Sequence, residues 1–174
     1  MTTRGDPRVL VVFYSRSGHT RSLAESVATE LGADLEEIRE TRSRSGFIGW
    51  MMAGRDASNR HATPIEILQH DPAAYDMVVV GTPVWVQSVS CGIRTYLQHA
   101  GPTFQGVALF TTSGWGRRPD EAVQETTELC QREPVAVLSL SSRAVKRNRH
   151  SDRLKRFVAE VRRATNVSQA NSSS

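Results

Sequence analysis

A chain of 174 residues with 39% hydrophobic and 23% charged residues is long enough for one domain with a full core and has the balance of a globular protein, not of a disordered or fibrous one. No window approaches the roughly 18 apolar residues of a membrane span, and the polar Met1–Arg8 with the four apolar residues after it is too short for a signal peptide, so a cytoplasmic location is expected. Cys91 and Cys130, without CxxC spacing, exclude a disulfide scaffold and a thiolate metal site, and a net charge of +4 admits acidic partners or phosphorylated ligands without naming one.

After a short extension (1–7), the apolar run Val9–Tyr14 predicts a buried strand. Thr20–Leu31 places Leu23, Val27 and Leu31 on one helical face and stops at Gly32. The weaker run Asp34–Ile38 fits an edge strand. Gly46–Ala62, with Phe47, Ile48, Trp50, Met51 and Met52, reads as the crossover helix packing on the sheet, with a cover over a bound ligand or a dimer contact as the alternatives; Arg39, Arg42 and Arg44 precede it. Met77–Gly81, Val107–Thr111 and Val135–Leu140 repeat the strand pattern. Helices are predicted over Gly92–His99, Pro119–Gln131 and Ser151–Ala164, the last capped by Ser151 or Asp152 with Leu154, Phe157, Val158 and Val161 inward. The polar end (165–174) is expected to be disordered beyond the domain at 8–164.

Alternating strands and helices predict an α/β fold: a three-layer sandwich with a five-stranded parallel sheet between helices. Right-handed crossovers leave few strand orders. The order 2-1-3-4-5 opens a crevice between strands 1 and 3 at their carboxyl ends, where such sheets bind ligands.

Three loops are expected to meet at that crevice: Ser15–His19, Thr82–Ser90 and Thr112–Arg118. In the first, Ser15, Ser17 and Thr20 supply hydroxyls, Gly18 lets the backbone curl, and a helix N-terminus follows, which together suit an anion. GxxxxGK[ST] spacing and its lysine are missing, so the loop suits a single terminal phosphate and not a triphosphate; an ordinary capped helix start is the plain alternative. The other loops each carry a tryptophan, Trp85 and Trp115, able to hold a flat ring.

The segments Val11-Val-Phe-Tyr-Ser-Arg-Ser-Gly-His-Thr, Val79-Val-Gly-Thr-Pro-Val-Trp and Thr111-Thr-Ser-Gly-Trp-Gly together resemble the flavodoxin-like FMN-binding family, over roughly residues 8 to 164. The resemblance implies a flavodoxin-like fold and FMN as cofactor. It implies a phosphate held by Ser15, Arg16, Ser17, Gly18, His19 and Thr20, and a flavin ring between Thr82, Pro83, Val84 and Trp85 on one side and Ser113, Gly114, Trp115 and Gly116 on another. Ser17 stands where family loops often have threonine and keeps the hydroxyl; His19 replaces an asparagine with a bulkier, titratable ring. No side chain is then required as acid, base or nucleophile, and no metal is expected.

The role implied is an FMN-dependent oxidoreductase reducing quinone-type or other small-molecule acceptors with NAD(P)H, or a one-electron shuttle for a redox partner protein. A flavodoxin-like protoporphyrinogen oxidase and a non-enzymatic module that has lost FMN are the alternatives. Many carriers of the family are acidic, whereas this chain is basic. Residues 143–163 contain nine Lys or Arg against Asp152 and Glu160, and Arg143, Lys146, Arg147 and Arg149 are expected in the loop after strand 5. That loop leaves the same edge, so a phosphorylated cosubstrate or an acidic redox partner could bridge it and the flavin; a solvated basic face is the plain alternative. No nucleic-acid motif accompanies the stretch. Cys91-Gly-Ile-Arg94 is too short for a phosphatase-type cradle, and His61, His70, His99 and His150 lack metal-ligand spacing and are expected at the surface.

Overall fold

The computed structural model describes residues 7–40, 65–66, 68–84, 88–115 and 119–171. Five strands, β1 (Val9–Phe13), β2 (Asp34–Glu37), β3 (Met77–Pro83), β4 (Val107–Ser113) and β5 (Val137–Ser141), form one parallel sheet in the order β2-β1-β3-β4-β5. This is the expected order. The β-branched and aliphatic runs are buried on both faces because helices cover both. Val9, Val11, Phe13, Met77, Val79 and Phe110 point to one layer, where α1 (His19–Leu31) supplies Leu23 and Val27 and α5 (Ser151–Asn171) supplies Leu154, Phe157, Val158 and Val161. Leu10, Val12, Val78, Val80 and Leu109 point to the other, against Ile93 and Leu97 of α2 (Cys91–Ala100) and Ala122 of α3 (Asp120–Cys130). Each such side chain contributes about 1.5–3 kcal/mol on burial, so the alternation of one strand's side chains between two layers is what fixes the register.

Several expectations are corrected. β3 and β4 each run two residues beyond the expected strand, with Thr82 paired to Thr111 and Pro83 to Thr112; Thr82, Pro83, Thr112 and Ser113 are therefore strand, not loop. β5 begins at Val137. The loop expected after it is a short helix, α4 (Ser142–Lys146), capped by Ser141 Oγ, which accepts the Ala144 N–H at 3.1 Å. His150, expected at the surface, is buried between α4 and α5, and its carbonyl, ahead of Ser151 and Asp152, accepts the Leu154 N–H at 2.9 Å. His70 is partly buried, its Nδ1 2.7 Å from Glu36 Oε2. α5 continues to Asn171 through the polar segment expected to be disordered, because Thr165 falls on its buried face, with its hydroxyl donating to Val161 O at 2.7 Å. Cys130 is buried and Cys91 exposed, both free. The expected Gly46–Ala62 element, Arg42, Arg44 and His61 lie outside the described residues.

Candidate functional site

A parallel sheet delivers every strand-to-helix connection to one edge, and the carboxyl ends of β1, β3 and β4 lie side by side there. After β1 the chain turns sharply. Ser15 Oγ accepts the N–H groups of Gly18 and Arg21, each at 3.2 Å, and Gly18 takes φ 86° immediately before α1. The Ser15 oxygen thus fixes the turn while its own proton stays available. The N–H groups of Ser17, His19 and Thr20 have no acceptor among the described residues, which leaves three donors at the positive end of a helix. An ion pair of Arg21 with Glu37 ties the first turn of α1 to β2.

Thr20 is placed differently from a solvent-facing hydroxyl. It is buried, and its Oγ1 lies 2.8 Å from Thr112 Oγ1 on β4. The carbonyl of Thr112 also accepts the Val84 N–H at 2.9 Å. One strand residue therefore fastens both the loop after β1 and the start of the loop after β3.

The loop after β3 is closed at its neck and anchored at its side. The buried Thr82 hydroxyl accepts the Ser90 N–H at 3.0 Å and contacts Ser90 Oγ at 3.3 Å. Farther out, Glu125 of α3 accepts from Ser88 Oγ at 2.7 Å and from Val89 N at 3.2 Å. Arg94 pairs with Glu125 through Nε and donates to Ser88 Oγ at 2.5 Å. Burial pushes the Glu125 carboxyl up, but the Arg94 guanidinium, the Ser88 hydroxyl and the Val89 N–H outweigh it and hold the group below its ordinary value of 4.5. The hydrogen bond to Glu125 raises Arg94 in turn.

After β4, Ser113 is half-buried, a Cβ on Gly114 would meet nothing within 4 Å, and Trp115 is 91% exposed, so its indole is left outside the core. Ser142 at the start of α4 donates to Ser113 O at 3.3 Å, which brings the basic α4 against this loop. Tyr14, next along the chain from β1, donates its N–H to Gly81 O of β3 at 3.0 Å; burial and then the Glu40 carboxylate push its phenol up from 10.0, against Arg16.

A family model described as Flavodoxin matches residues 8–161. The chain belongs to the flavodoxin family. Solved structures repeat this fold. A flavoprotein from Lactobacillus acidophilus NCFM in complex with FMN has 22% identity and a TM-score of 0.59, covering 86% of this chain and 99% of its own. The flavodoxin WrbA-like protein from Agrobacterium tumefaciens has 18% identity and a TM-score of 0.56, covering 95% and 99%. Rubredoxin oxygen:oxidoreductase from Desulfovibrio gigas has 16% identity and a TM-score of 0.54, with 94% of this chain matched to 37% of that one.

Within this family fold, the structure brings Ser15–Thr20, Thr82–Val84 and Ser113–Trp115 to one edge; Trp85 and Gly116 lie outside the described residues. Sequence reasoning missed Thr112 as a joint and Ser88, Arg94 and Glu125 as an anchor. The Thr111-Thr112-Ser113 hydroxyl run at a strand end was a usable signal for the first. For the second there was no local pattern, because Arg94 and Glu125 are 31 residues apart.

Gly18 offers a direct test of the turn. An alanine at φ 86° is strained by about 1 kcal/mol even in open space, and a Cβ there meets nothing within 4 Å. Gly18→Ala is expected to lower the unfolding free energy by that amount, and so to lower the urea midpoint with an unchanged m-value; an unaltered midpoint would show that the turn does not need the left-handed residue.

Proposed function

We propose that the chain binds FMN at this edge and works as an electron-transfer flavoprotein or oxidoreductase. The observation that carries this reading is the pairing of three unengaged N–H donors at the start of α1 with an exposed indole on the loop after β4, both held by strand β4. The donor set fits the cofactor: three N–H groups and the Ser15 and Ser17 hydroxyls for one phosphate, with no lysine, and an open, apolar rim for a ring. Ser15, Arg16, Ser17, Gly18, His19 and Thr20 would hold the phosphate, Thr20 through its N–H because its hydroxyl is engaged with Thr112. Thr82, Pro83, Val84 and Trp85 would line one side of the ring and Ser113, Gly114, Trp115 and Gly116 another. Bound there, the flavin supplies the capacity to accept and return electrons. The chain's own residues bind it, orient it and set its surroundings. Thr82, closed onto Ser90, holds the ring-side wall in shape instead of presenting its hydroxyl to the ligand.

Reduction of quinone-type acceptors with NAD(P)H and one-electron exchange with a partner protein are the two uses of such a site. The exposed rim at Trp115 leaves it open to a large partner and so favours the second. The purified protein is expected to be yellow and to release FMN in equal molar amount on denaturation. A colourless protein that ignores added FMN overturns the reading. With the holoprotein in hand, prompt bleaching by NADPH identifies the hydride-accepting enzyme, and bleaching only through a partner reductase identifies the shuttle.

A further inference from the structure

The charge of the molecule is unevenly placed around the proposed flavin site. On one face of the sheet, α3 and the turn after it carry Asp120, Glu121, Glu125, Glu128 and Glu133 against Arg132 alone. On the other face, residues 143–163 carry nine basic residues and two acids. Arg143, Lys146, Arg147, Arg149, Lys155 and Arg156 are all exposed, and none has an ion-pair partner among the described residues. Adjacent cations left uncompensated repel one another and lower stability, so their neighbours in the fold give them no reason to be together.

The fold places them beside the site. β5 ends at the same edge as β1, β3 and β4, α4 follows directly, and Ser142 Oγ holds α4 to the Ser113 carbonyl at the base of the Trp115 loop. α5 then returns along the sheet, so Lys155 and Arg156 lie within about 8 Å of its start, at 1.5 Å per residue. The cations do not converge on one point, as donors for a single phosphate would; they spread over two helices and the turn between them.

We propose that α4 and the first turns of α5 form the docking surface for an acidic redox protein, which meets the flavin edge at the Ser113–Trp115 loop. This rests on the FMN reading above. In each encounter one electron passes between the partner's centre and the flavin; one is oxidised as the other is reduced, and no covalent bond forms or breaks. Opposite charge around the contact raises the rate of encounter and makes it salt-dependent.

The test uses the full chain and two haem proteins of opposite surface charge, cytochrome b5 (acidic) and cytochrome c (basic), titrated calorimetrically with flavin content measured on the same samples. Cytochrome b5 is expected to bind at low salt, with affinity falling at least about tenfold by 0.15 M salt, where the Debye length is about 8 Å; cytochrome c should not bind. Combining Arg143→Glu, Lys146→Glu and Arg147→Glu should abolish binding while circular dichroism and FMN content stay unchanged. Tighter binding of cytochrome c, unchanged binding by the triple variant, or tighter binding of a labelled single-stranded DNA than of cytochrome b5 would overturn the proposal. Because docking is read by heat and not by flavin colour, a protein without FMN defeats only the cofactor reading and still reports on this surface.

Discussion

Glu125→Ala is expected to weaken FMN binding by at least tenfold while leaving the sheet folded. The carboxylate touches neither the phosphate loop nor the Trp115 loop; it acts through Ser88 and Val89, which form the far end of the loop after β3. Removing it leaves Arg94 Nε, the Ser88 hydroxyl and the Val89 N–H without their acceptor, while Arg94 keeps its second bond, to Ser88 Oγ. Unsatisfied groups of this kind cost about 1–3 kcal/mol when buried. The Arg94 and Glu125 side chains retain 26% and 20% of their exposure, so solvent screening keeps the cost to about 2 kcal/mol, below the top of that range. Carried into the ligand-ready form of the loop, that exceeds the 1.4 kcal/mol of a tenfold change in Kd. Quenching of flavin fluorescence on titration into apoprotein measures it. Equal affinity of the variant and the parent would show that the loop needs no anchor.

The same pair sets a pH dependence. The folded-state value of Glu125 lies below its ordinary 4.5. Its contribution is therefore fully present above that ordinary value and is lost as pH falls through the depressed one. FMN affinity of the parent should decline on acidification below about pH 4.5, and Glu125→Gln, which cannot ionise, should lack that part of the decline.

Gly81→Ala should give the largest loss of stability. Gly81 and Phe110 are register partners on β3 and β4, and the Phe110 ring lies over the glycine. A Cβ on Gly81 would stand 2.1 Å from Phe110 Cζ and 2.6 Å from Cε2. Phe110 is fully buried, so its ring has nowhere to retreat without displacing the α1 layer. Overpacking of this kind costs about 1–3 kcal/mol or more; at the upper end, with about 2–4 °C per kcal/mol for a chain of this size, Tm falls by about 6–12 °C. Adding Phe110→Leu to Gly81→Ala should recover part of the loss. Strictly additive losses in that double variant would mean that the clash is not the cause.

The legible parts of the molecule were those written in contiguous residues. Val9–Phe13 and Val107–Phe110 announce strands because both faces of the sheet are covered, and Ser15–Thr20 announces a binding turn because its hydroxyls and its glycine are adjacent. α4 was not legible: five residues with Val145 alone buried carry no helical period. The ends of β3 and β4 were misjudged because Thr82 and Thr112 look polar, although a β-branched residue pairs well inside a sheet. The joints of the site were hidden for a different reason. Thr20 meets Thr112 across 92 residues of chain and Arg94 meets Glu125 across 31, and only the folded sheet makes them neighbours.

Thr112 has a consequence for how the site gains and loses order. Its side chain holds Thr20 and its carbonyl holds Val84, while the chain that continues from it leads to Trp115. The three walls of the cleft therefore share one support inside a central strand and do not wander independently. A ligand arriving there meets a receptor already arranged, and little of its binding energy is spent on freezing loops. The converse is a shared vulnerability: a disturbance confined to the end of β4 should release all three walls together, so apoprotein hydrogen exchange in the three loops should rise as a single cooperative unit.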